Sequence, residues 1–326
     1  MRKISLVGAV AAVAVAATAC SVSTQPGGTS AADTKKSGQL VIGFSEVTQQ
    51  SPFYVQLKNG AQQAAAKAGA KLLFADANGD VTKQNNDIQD LITRGVNVLL
   101  VNPVDPKGVA PGLAAAKAAN IPVITVDRPV PSGALSHVGR DNVKMGQIVG
   151  ERVAKALGPA GGKVIEIQGD AGGAVARDRR DGFHKGVASN PKIKIVEGPY
   201  CDYIRSKAVT AMQDLLQANP DVKAVYAHND DMALGVLQVL RENKRTDVKV
   251  AGVDGLMEAV KQIPNGQYVA TALNDPIHEG ELAVQTAAKA HDGGQAPSYV
   301  DAGTALVDPS NAAGLAGDTV FARSSS

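Results

Sequence analysis

The chain is poor in aromatic residues and in cysteine. Its 326 residues include five Phe, six Tyr, no Trp and two Cys. Two cysteines cannot build a disulfide-dense scaffold, and so few aromatic side chains at first argue against a site that grips apolar ligand surface. A hydrophobic fraction of 44% excludes a largely disordered chain. The length predicts two domains with sizeable cores.

An excess of either charge is also missing. The 33 Lys and Arg residues exceed the 31 Asp and Glu residues by only two. Both excess positive charges, Arg2 and Lys3, fall in a predicted leader, so the mature chain is formally neutral. A basic field that would attract nucleic acid is therefore absent.

Motifs of common cofactor and metal sites are absent as well. No two glycines are separated by a single residue, which excludes the G-x-G-x-x-G fingerprint, and Gly162-Lys163 lacks the upstream glycine of a P-loop. The five histidines show neither H-E-x-x-H nor a cysteine partner at zinc spacing, so we expect them in surface or capping roles. The sequence predicts neither a metal nor a cofactor.

The first residues predict export. A short basic segment precedes an apolar run from Ile4 to Ala17, which is shorter than the ~20 residues of a bilayer-spanning helix. Ala17-Thr18-Ala19-Cys20 resembles a bacterial lipoprotein box without its usual Leu, which implies lipidation of Cys20. We expect a lipoprotein signal peptide over residues 1–20 and a flexible tether over residues 21–38.

From Gln39 on, short runs rich in β-branched residues alternate with Ala-rich helical stretches. The first strand is predicted over Leu40–Phe44 and the first helix over Pro52–Ala68, and the alternation continues to a strand at Val248–Val253. Continuous apolar strands separated by helices predict parallel sheets covered on both faces. There are too many units for one sheet, so we expect two doubly wound α/β domains.

Polar side chains follow five of these strands where each strand ends. In open parallel sheets, ligands bind beyond the carboxyl ends of the strands. Carboxylates, amides and guanidinium groups are suited to hydrogen-bond hydroxyls, although each residue alone could equally cap a helix. The five strand ends carry Asn102, Asp127-Arg128, His228-Asn229-Asp230, Asp254 and Asn274-Asp275.

Several stretches together resemble type 1 periplasmic sugar-binding proteins, in particular the ribose-binding branch of ABC importers. They are Ser51-Pro52-Phe53-Tyr54, Leu100-Val101-Asn102-Pro103, Ile121-Pro122-Val123-Ile124-Thr125-Val126-Asp127-Arg128, Ala176-Arg177-Asp178-Arg179, the run from His228 to Gly235, and Gly252-Val253-Asp254-Gly255. The resemblance extends from about Leu40 to Val307. It implies a periplasmic binding protein type 1 fold, with two doubly wound parallel-sheet lobes joined by three crossovers.

The resemblance also implies how the chain is divided. The N-terminal sugar-binding lobe would comprise residues 39–141 and 275–303, the C-terminal lobe residues 142–274 and 304–312, and the tail residues 313–326. The crossovers would lie near Asp141-Asn142, Asn274-Asp275 and Gly303-Thr304.

Eleven residues correspond by position to the family's sugar contacts. Asp127 and Asp254 would accept charge-assisted hydrogen bonds from hydroxyls, and Arg128 and Arg177 would donate as planar forks. Aromatic side chains would cover the apolar faces of the sugar ring. The full set is Ser51, Phe53, Tyr54, Asn102, Asp127, Arg128, Arg177, Tyr203, Asn229, Asp254 and Asn274.

Four of these positions depart from the ribose branch. Ser51 stands where that branch carries Asn, Asn274 where it carries Gln, and Tyr54 and Tyr203 where it carries Phe. Changes in hydrogen-bonding groups can redirect specificity. The expected ligand is a pentose such as ribose, or a related small neutral polyol.

The expected protein is an extracytoplasmic, lipid-anchored monomer on the outer face of the cytoplasmic membrane, which captures the sugar by lobe closure and delivers it to an ABC permease. The alternative is a secreted glycoside-processing enzyme that uses Asp127 and Asp254 as a carboxylate pair. A chemosensory adaptor would differ only in its partner. A transcriptional repressor would need a helix-turn-helix where residues 1–38 predict a leader and tether.

Overall fold

The computed structural model describes residues 38–323. Cys20, the predicted signal peptide and almost all of the predicted tether lie outside these residues. The helices and strands, in chain order, are β1 (Val41–Glu46), α1 (Pro52–Lys67), β2 (Lys71–Asp76), α2 (Val81–Thr93), β3 (Val98–Val101), α3 (Ala110–Ala118), β4 (Val123–Val126), β5 (Ser136–Gly139), α4 (Asn142–Leu157), β6 (Gly162–Gln168), α5 (Ala174–Val187), β7 (Ile193–Tyr200), α6 (Arg205–Ala218), β8 (Val222–Ala227), α7 (Asp230–Glu242), β9 (Lys249–Asp254), α8 (Met257–Val260), β10 (Tyr268–Leu273), α9 (Pro276–His291), β11 (Tyr299–Asp301), β12 (Leu306–Val307) and α10 (Ala312–Leu315).

The first sheet has the strand order β11-β5-β4-β3-β1-β2, and all of its pairings are parallel. Its central strands are apolar along their whole length because both faces are covered; every residue of β3 and β4 is buried. Helices α1 and α9 pack on one another, and α9 also packs on β3, β4 and β5. We call this sheet with α1, α2, α3 and α9 the first lobe.

The second sheet has the order β12-β10-β9-β8-β6-β7, parallel except for the short antiparallel β12. Helices α4 and α5 pack together, α4 also packs on β9 and β10, and α6 packs on α7. This sheet with α4 to α8 and α10 is the second lobe. The fold class predicted from alternating apolar strands and helices, two parallel-sheet α/β lobes, is confirmed.

Three connections join the lobes. The chain leaves the first sheet after β5, returns to the first lobe between β10 and α9, and leaves it again between β11 and β12. Strands β11 and β12 were not predicted because runs of three and two residues carry no usable periodicity. The residue boundaries given above for the two lobes stay a prediction.

Helices α4 and α5 approach until their backbones touch. A Cβ atom on Gly146 would collide with the carbonyl oxygen of Arg179, and one on Gly182 would collide with that of Val143. Only glycine permits this approach, because it has no Cβ. The contact sets the position of α5, which carries Arg179.

The C-terminal segment packs across the molecule. The amide of Met257 donates to the carbonyl of Val320, and that of Ala322 donates to Gly255, both at 2.8 Å. Phe321 is buried, and its ring meets the ring of Phe53 edge-on with centroids 6.2 Å apart. The segment is thus bonded to the second lobe and in contact with the first. Within residues 38–323, no helix has the length and apolar character needed to cross a membrane.

Candidate functional site

A cavity lies between the lobes, at the carboxyl ends of the strands. The predicted sugar contacts all line it except Asn102 and Arg177; Val175 and Arg179 complete the lining. The lining residues are Ser51, Phe53, Tyr54, Asp127, Arg128, Val175, Arg179, Tyr203, Asn229, Asp254 and Asn274.

The start of α1 forms part of the first lobe's wall. Ser51 caps the helix, with its Oγ accepting from the amide of Phe53 at 3.4 Å, and Pro52 occupies the first helical turn, where its fixed φ is favourable. Phe53 and Tyr54 follow directly and are buried, with their rings edge-to-face at 5.5 Å. The cap therefore directs two aromatic side chains into the cavity.

Asp127 and Arg128 follow β4 on the same wall. Arg128 donates to the hydroxyl of Tyr54 at 2.7 Å, and its guanidinium lies 5.7 Å from the ring centre of Tyr203 in the other lobe. It also forms an ion pair of 3.4 Å with Asp170, which follows β6. Arg128 thereby connects the two walls directly, so the lobes are closed on one another.

Asn102 lies behind the wall. Its Nδ2 is 3.5 Å from Oδ2 of Asp127, while its backbone carbonyl accepts from Gln84 Nε2 at 2.9 Å. Its Oδ1 is buried and has no hydrogen-bond partner among the described residues. The structure places Asn102 as a neighbour of Asp127, outside the set of residues that line the cavity.

Arg179 provides the second lobe's guanidinium. Its Nε donates to Asn142 Oδ1 at 2.9 Å and one terminal nitrogen to the carbonyl of His228 at 2.6 Å. The other terminal nitrogen lies 3.4 Å from Asp254 Oδ1. These partners fix the guanidinium plane at the cavity wall.

Arg177, the residue predicted for this role, does not reach the cavity. Its side chain is 59% exposed and pairs with Asp178 at 2.9 Å. Positions two apart on an α-helix point in nearly opposite directions, so Arg177 and Arg179 cannot both face the cleft. Val175, Arg179 and Phe183 lie four residues apart on the buried face of α5. This spacing was the signal in the sequence that could have identified Arg179.

A buried histidine network lies behind Arg179, contrary to the expected surface or capping roles. The amide of Gly169 donates to His228 Nδ1 at 3.1 Å, so Nε2 carries the proton and donates to Glu166 at 3.0 Å. His184 meets the other Glu166 oxygen at 2.7 Å. Burial lowers the pKa of His228; burial alone would raise the pKa of Glu166, but the hydrogen bonds from both histidines outweigh it and the pKa falls.

Three cavity residues have a left-handed backbone that side chains disfavour. The φ angles are +62° for Asp127, +61° for Tyr203 and +120° for Asp254. Such conformations cost of order 1–3 kcal/mol and cluster at functional sites.

Asp254 is held by a neighbouring amide: Asn274 Nδ2 donates to Asp254 Oδ1 at 3.0 Å. Burial raises the pKa of Asp254 to about 6, with the positive charge of Arg179 opposing the rise.

Asn229 both caps a helix and lines the cavity, the two roles that the sequence left open for it. Its Oδ1 accepts from the amide of Met232 and caps α7, and its Nδ2 donates to the carbonyl of Tyr203 at 3.3 Å. Both bonds hold the residue at the cavity wall.

The site as a whole offers carboxylates, guanidinium groups, amides and aromatic faces. Among residues 38–323, no group of three or more His, Cys, Asp or Glu side chains could hold a metal ion.

The chain belongs to the periplasmic binding protein family: the family described as "Periplasmic binding protein domain" matches residues 42–295. The chain is 42% identical to the ribose import binding protein RbsB of Escherichia coli K12, over 74% of this chain and 81% of the relative. It is 32% identical to the xylitol-binding protein of Mycolicibacterium smegmatis, over 91% of this chain and 84% of the relative.

A solved structure of an ABC transporter solute-binding protein from Mycobacterium smegmatis with bound glycerol is 70% identical, with a TM-score of 0.87. The match covers 88% of this chain and 100% of that one. The predicted resemblance to type 1 periplasmic sugar-binding proteins is confirmed. The family and these relatives are extracytoplasmic binding proteins and not enzymes.

Proposed function

We propose that this protein captures a small neutral sugar or polyol, a pentose such as ribose or a related polyol, by closure of its lobes and delivers it to an ABC permease. The observation that carries the proposal is the cavity itself, in which Asp127 and Arg128 from one lobe face Arg179 and Asp254 from the other. Carboxylates and guanidinium groups together satisfy hydroxyls in both hydrogen-bonding directions.

The polar lining of the cavity and the relatives agree on the class of ligand. Ribose, xylitol and glycerol, in the names of these relatives, are all short chains or rings that carry a hydroxyl on most carbons. The two tyrosines in place of phenylalanine increase the polarity of the cavity. The Tyr54 hydroxyl accepts from Arg128, whereas the buried Tyr203 hydroxyl has no partner among the described residues and is available to a ligand hydroxyl.

Calorimetric titration of the purified protein tests this proposal. Ribose, xylitol and glycerol are the primary ligands, with glucose and myo-inositol as larger comparisons. We expect binding of one molecule per chain for at least one of the three smaller ligands, and weaker or no binding of the larger ones. If no neutral sugar or polyol binds, the proposal is wrong.

The glycoside-processing alternative has less support. Asp254, the carboxyl whose pKa rises to about 6, is bonded to Asn274 and lies beside Arg179, a setting suited to holding a ligand. Incubation with the tightest ligand and with its glycosides, followed by mass spectrometry, separates the two: a binding protein returns each compound unchanged.

We also propose that the protein is anchored through a lipid on Cys20 and acts as a monomer. The lipoprotein-like Ala17-Thr18-Ala19-Cys20 supports the anchor. In the native host, Cys20→Ser is expected to move the protein from the membrane fraction to the soluble fraction, with ligand affinity unchanged. Membrane retention of the variant would contradict the anchor.

A further inference from the structure

A single buried arginine touches all three connections between the lobes. Arg140 follows β5 in the first connection, and its side chain is 2% exposed. Its Nε donates to the carbonyl of Gly303 in the third connection at 2.9 Å, and a terminal nitrogen donates to the carbonyl of Asp275 in the second at 2.6 Å. The remaining terminal nitrogen donates to Asn274 Oδ1 and Glu279 Oε2.

These bonds determine how Asn274 is presented to the cavity. An arginine has only donors, so the atom of Asn274 that faces Arg140 is its oxygen. The amide nitrogen must then point the other way, where it donates to Asp254 Oδ1 at 3.0 Å. With Arg179 beside the same oxygen at 3.4 Å, Asp254 keeps its second oxygen for a ligand hydroxyl. Arg140 therefore orients a cavity residue without lining the cavity.

The charge of Arg140 also reaches both walls. Burial raises the pKa of Asp127 and that of Asp254, and the positive charge of Arg140 opposes the rise in each. Glu279, on α9 of the first lobe, balances this charge within the buried pair. The arginine is thus positioned to affect the two carboxylates that come from opposite lobes.

We propose that Arg140 is a positioning residue that holds the three connections together in the closed arrangement and sets the hydrogen-bonding pattern at the Asp254 end of the cavity. Hinge motion is absorbed by a few residues in such connections. Bonds from one rigid planar group to all three restrict their backbone angles together. This role rests on the proposed function only where it concerns ligand affinity; the effect on opening does not require that a sugar binds.

The test compares Arg140→Lys with a matched control, Arg152→Gln. Arg152 pairs with Asp308 inside the second lobe at 3.1 Å and is also largely buried, but it touches none of the connections. Small-angle scattering of ligand-free protein measures opening, and calorimetry with xylitol and ribose measures affinity. We expect Arg140→Lys to increase the radius of gyration beyond the parent's error and to weaken the tighter ligand about tenfold. The control should change neither.

A second variant separates positioning from stability. Arg140→Met with Glu279→Leu replaces the whole buried pair with apolar side chains, a change that often leaves a fold as stable as before. It should show the same increase in radius while its urea unfolding midpoint stays near the parent's. If this variant has the larger radius of gyration and the parent protein binds no sugar, the proposed function is refuted while the positioning role of Arg140 is supported. Unchanged radius and affinity in both variants would overturn the role of Arg140.

Discussion

The two walls of the cavity hold their charged groups in different ways. In the second lobe, Arg179 has hydrogen-bond partners at 2.6 and 2.9 Å, and the nearer of them, the carbonyl of His228, belongs to the buried network with Glu166. In the first lobe, the carboxylate of Asp127 has only long contacts among the described residues, 3.5 Å to Asn102 and 3.9 Å to Arg128. The second wall therefore has its guanidinium and one oxygen of Asp254 fixed in advance by the protein, with the other Asp254 oxygen and the Tyr203 hydroxyl left for a ligand. Neither carboxylate oxygen of Asp127 in the first wall is fixed by a short hydrogen bond from the described residues.

Other buried carboxyl groups behind the walls repeat this difference. Asp230 in the second lobe accepts from Tyr268 at 2.6 Å and from the Thr271 hydroxyl and Leu256 amide at 2.8 Å each. Glu46 at the end of β1 in the first lobe has one oxygen with no partner among the described residues. Groups that the protein already holds in place fix the geometry for a ligand. Groups with unused hydrogen-bonding capacity contribute most to the free energy of binding when the ligand arrives. We therefore expect loss of the fixed guanidinium of Arg179 to affect mainly stability and loss of the Asp127 charge to affect mainly affinity.

The largest expected effect is on stability, from Arg179→Met. The change leaves the Asp254 carboxylate without its adjacent cation and the His228 carbonyl without its donor, and breaking such a buried interaction costs about 3–5 kcal/mol. Urea unfolding at pH 7 measures the loss. The control is Arg177→Met on the same helix, which removes an exposed pair and should change stability by less than about 0.5 kcal/mol. Equal effects of the two substitutions would contradict the assignment of Arg179.

Phe321→Ala tests the C-terminal segment, which is bonded to the second lobe and reaches the first wall. Removing a buried phenylalanine ring costs about 3 kcal/mol, at the lower end of the usual range because a chain end can relax. Ligand affinity should also fall, because Phe53 loses the ring that packs behind it. Thermal unfolding and calorimetry measure both effects. Val320→Ala, at a side chain 43% exposed, is the control and should change neither appreciably.

Asp127→Asn is expected to act on affinity alone. Loss of a charge-assisted hydrogen bond to a ligand hydroxyl costs about 1.5–3 kcal/mol, or roughly 10- to 150-fold in affinity. Burial raises the pKa of Asp127, so its charged form is unfavourable in the fold, and the amide should unfold at the same urea concentration or a higher one. Asp87→Asn, which breaks an i,i+4 pair with Lys83 on the surface, serves as control. A large loss of stability with unchanged affinity would reverse the comparison.

The smallest effect is a pH dependence with opposite signs for affinity and stability. The pKa of Asp254 is raised to about 6 by burial, against the opposing charges of Arg179 and Arg140 and with Asp127 adding to the rise. If the ligand needs the carboxylate, affinity falls about tenfold between pH 7 and pH 5. The contribution of Asp254 to fold stability is present below its unfolded pKa, about 3.9, and is lost as pH rises through about 6. Calorimetry in two buffers of different ionisation enthalpy should detect proton release on binding near pH 6.

Much of the fold could be predicted because its strands are short apolar runs, and α1, α2, α4, α7 and α9 begin at a capping side chain. Polar residues at strand ends account for five of the eleven residues that line the cavity, since strand ends of one parallel sheet meet at one edge. Four more, Ser51, Phe53, Tyr54 and Tyr203, came from the family resemblance. Arg177 was predicted in place of Arg179 because the sequence motif offers two arginines, and only the helical phase set by Val175 and Phe183 distinguishes them. Arg140 and Phe321 could not be found, because their partners are distant in sequence and no local pattern marks them.

Hydrogen–deuterium exchange with and without the sugar identified by calorimetry compares the two walls in one experiment. The amides of the second wall should already be protected from exchange before ligand is added, so the exchange of peptides covering residues 166–169 and 228–232 should change little. Peptides covering residues 46–54 and 127–129 of the first wall should gain strong protection when ligand saturates the site. Equal or greater gains in the second wall would contradict the division between a preorganised wall and one that the ligand completes.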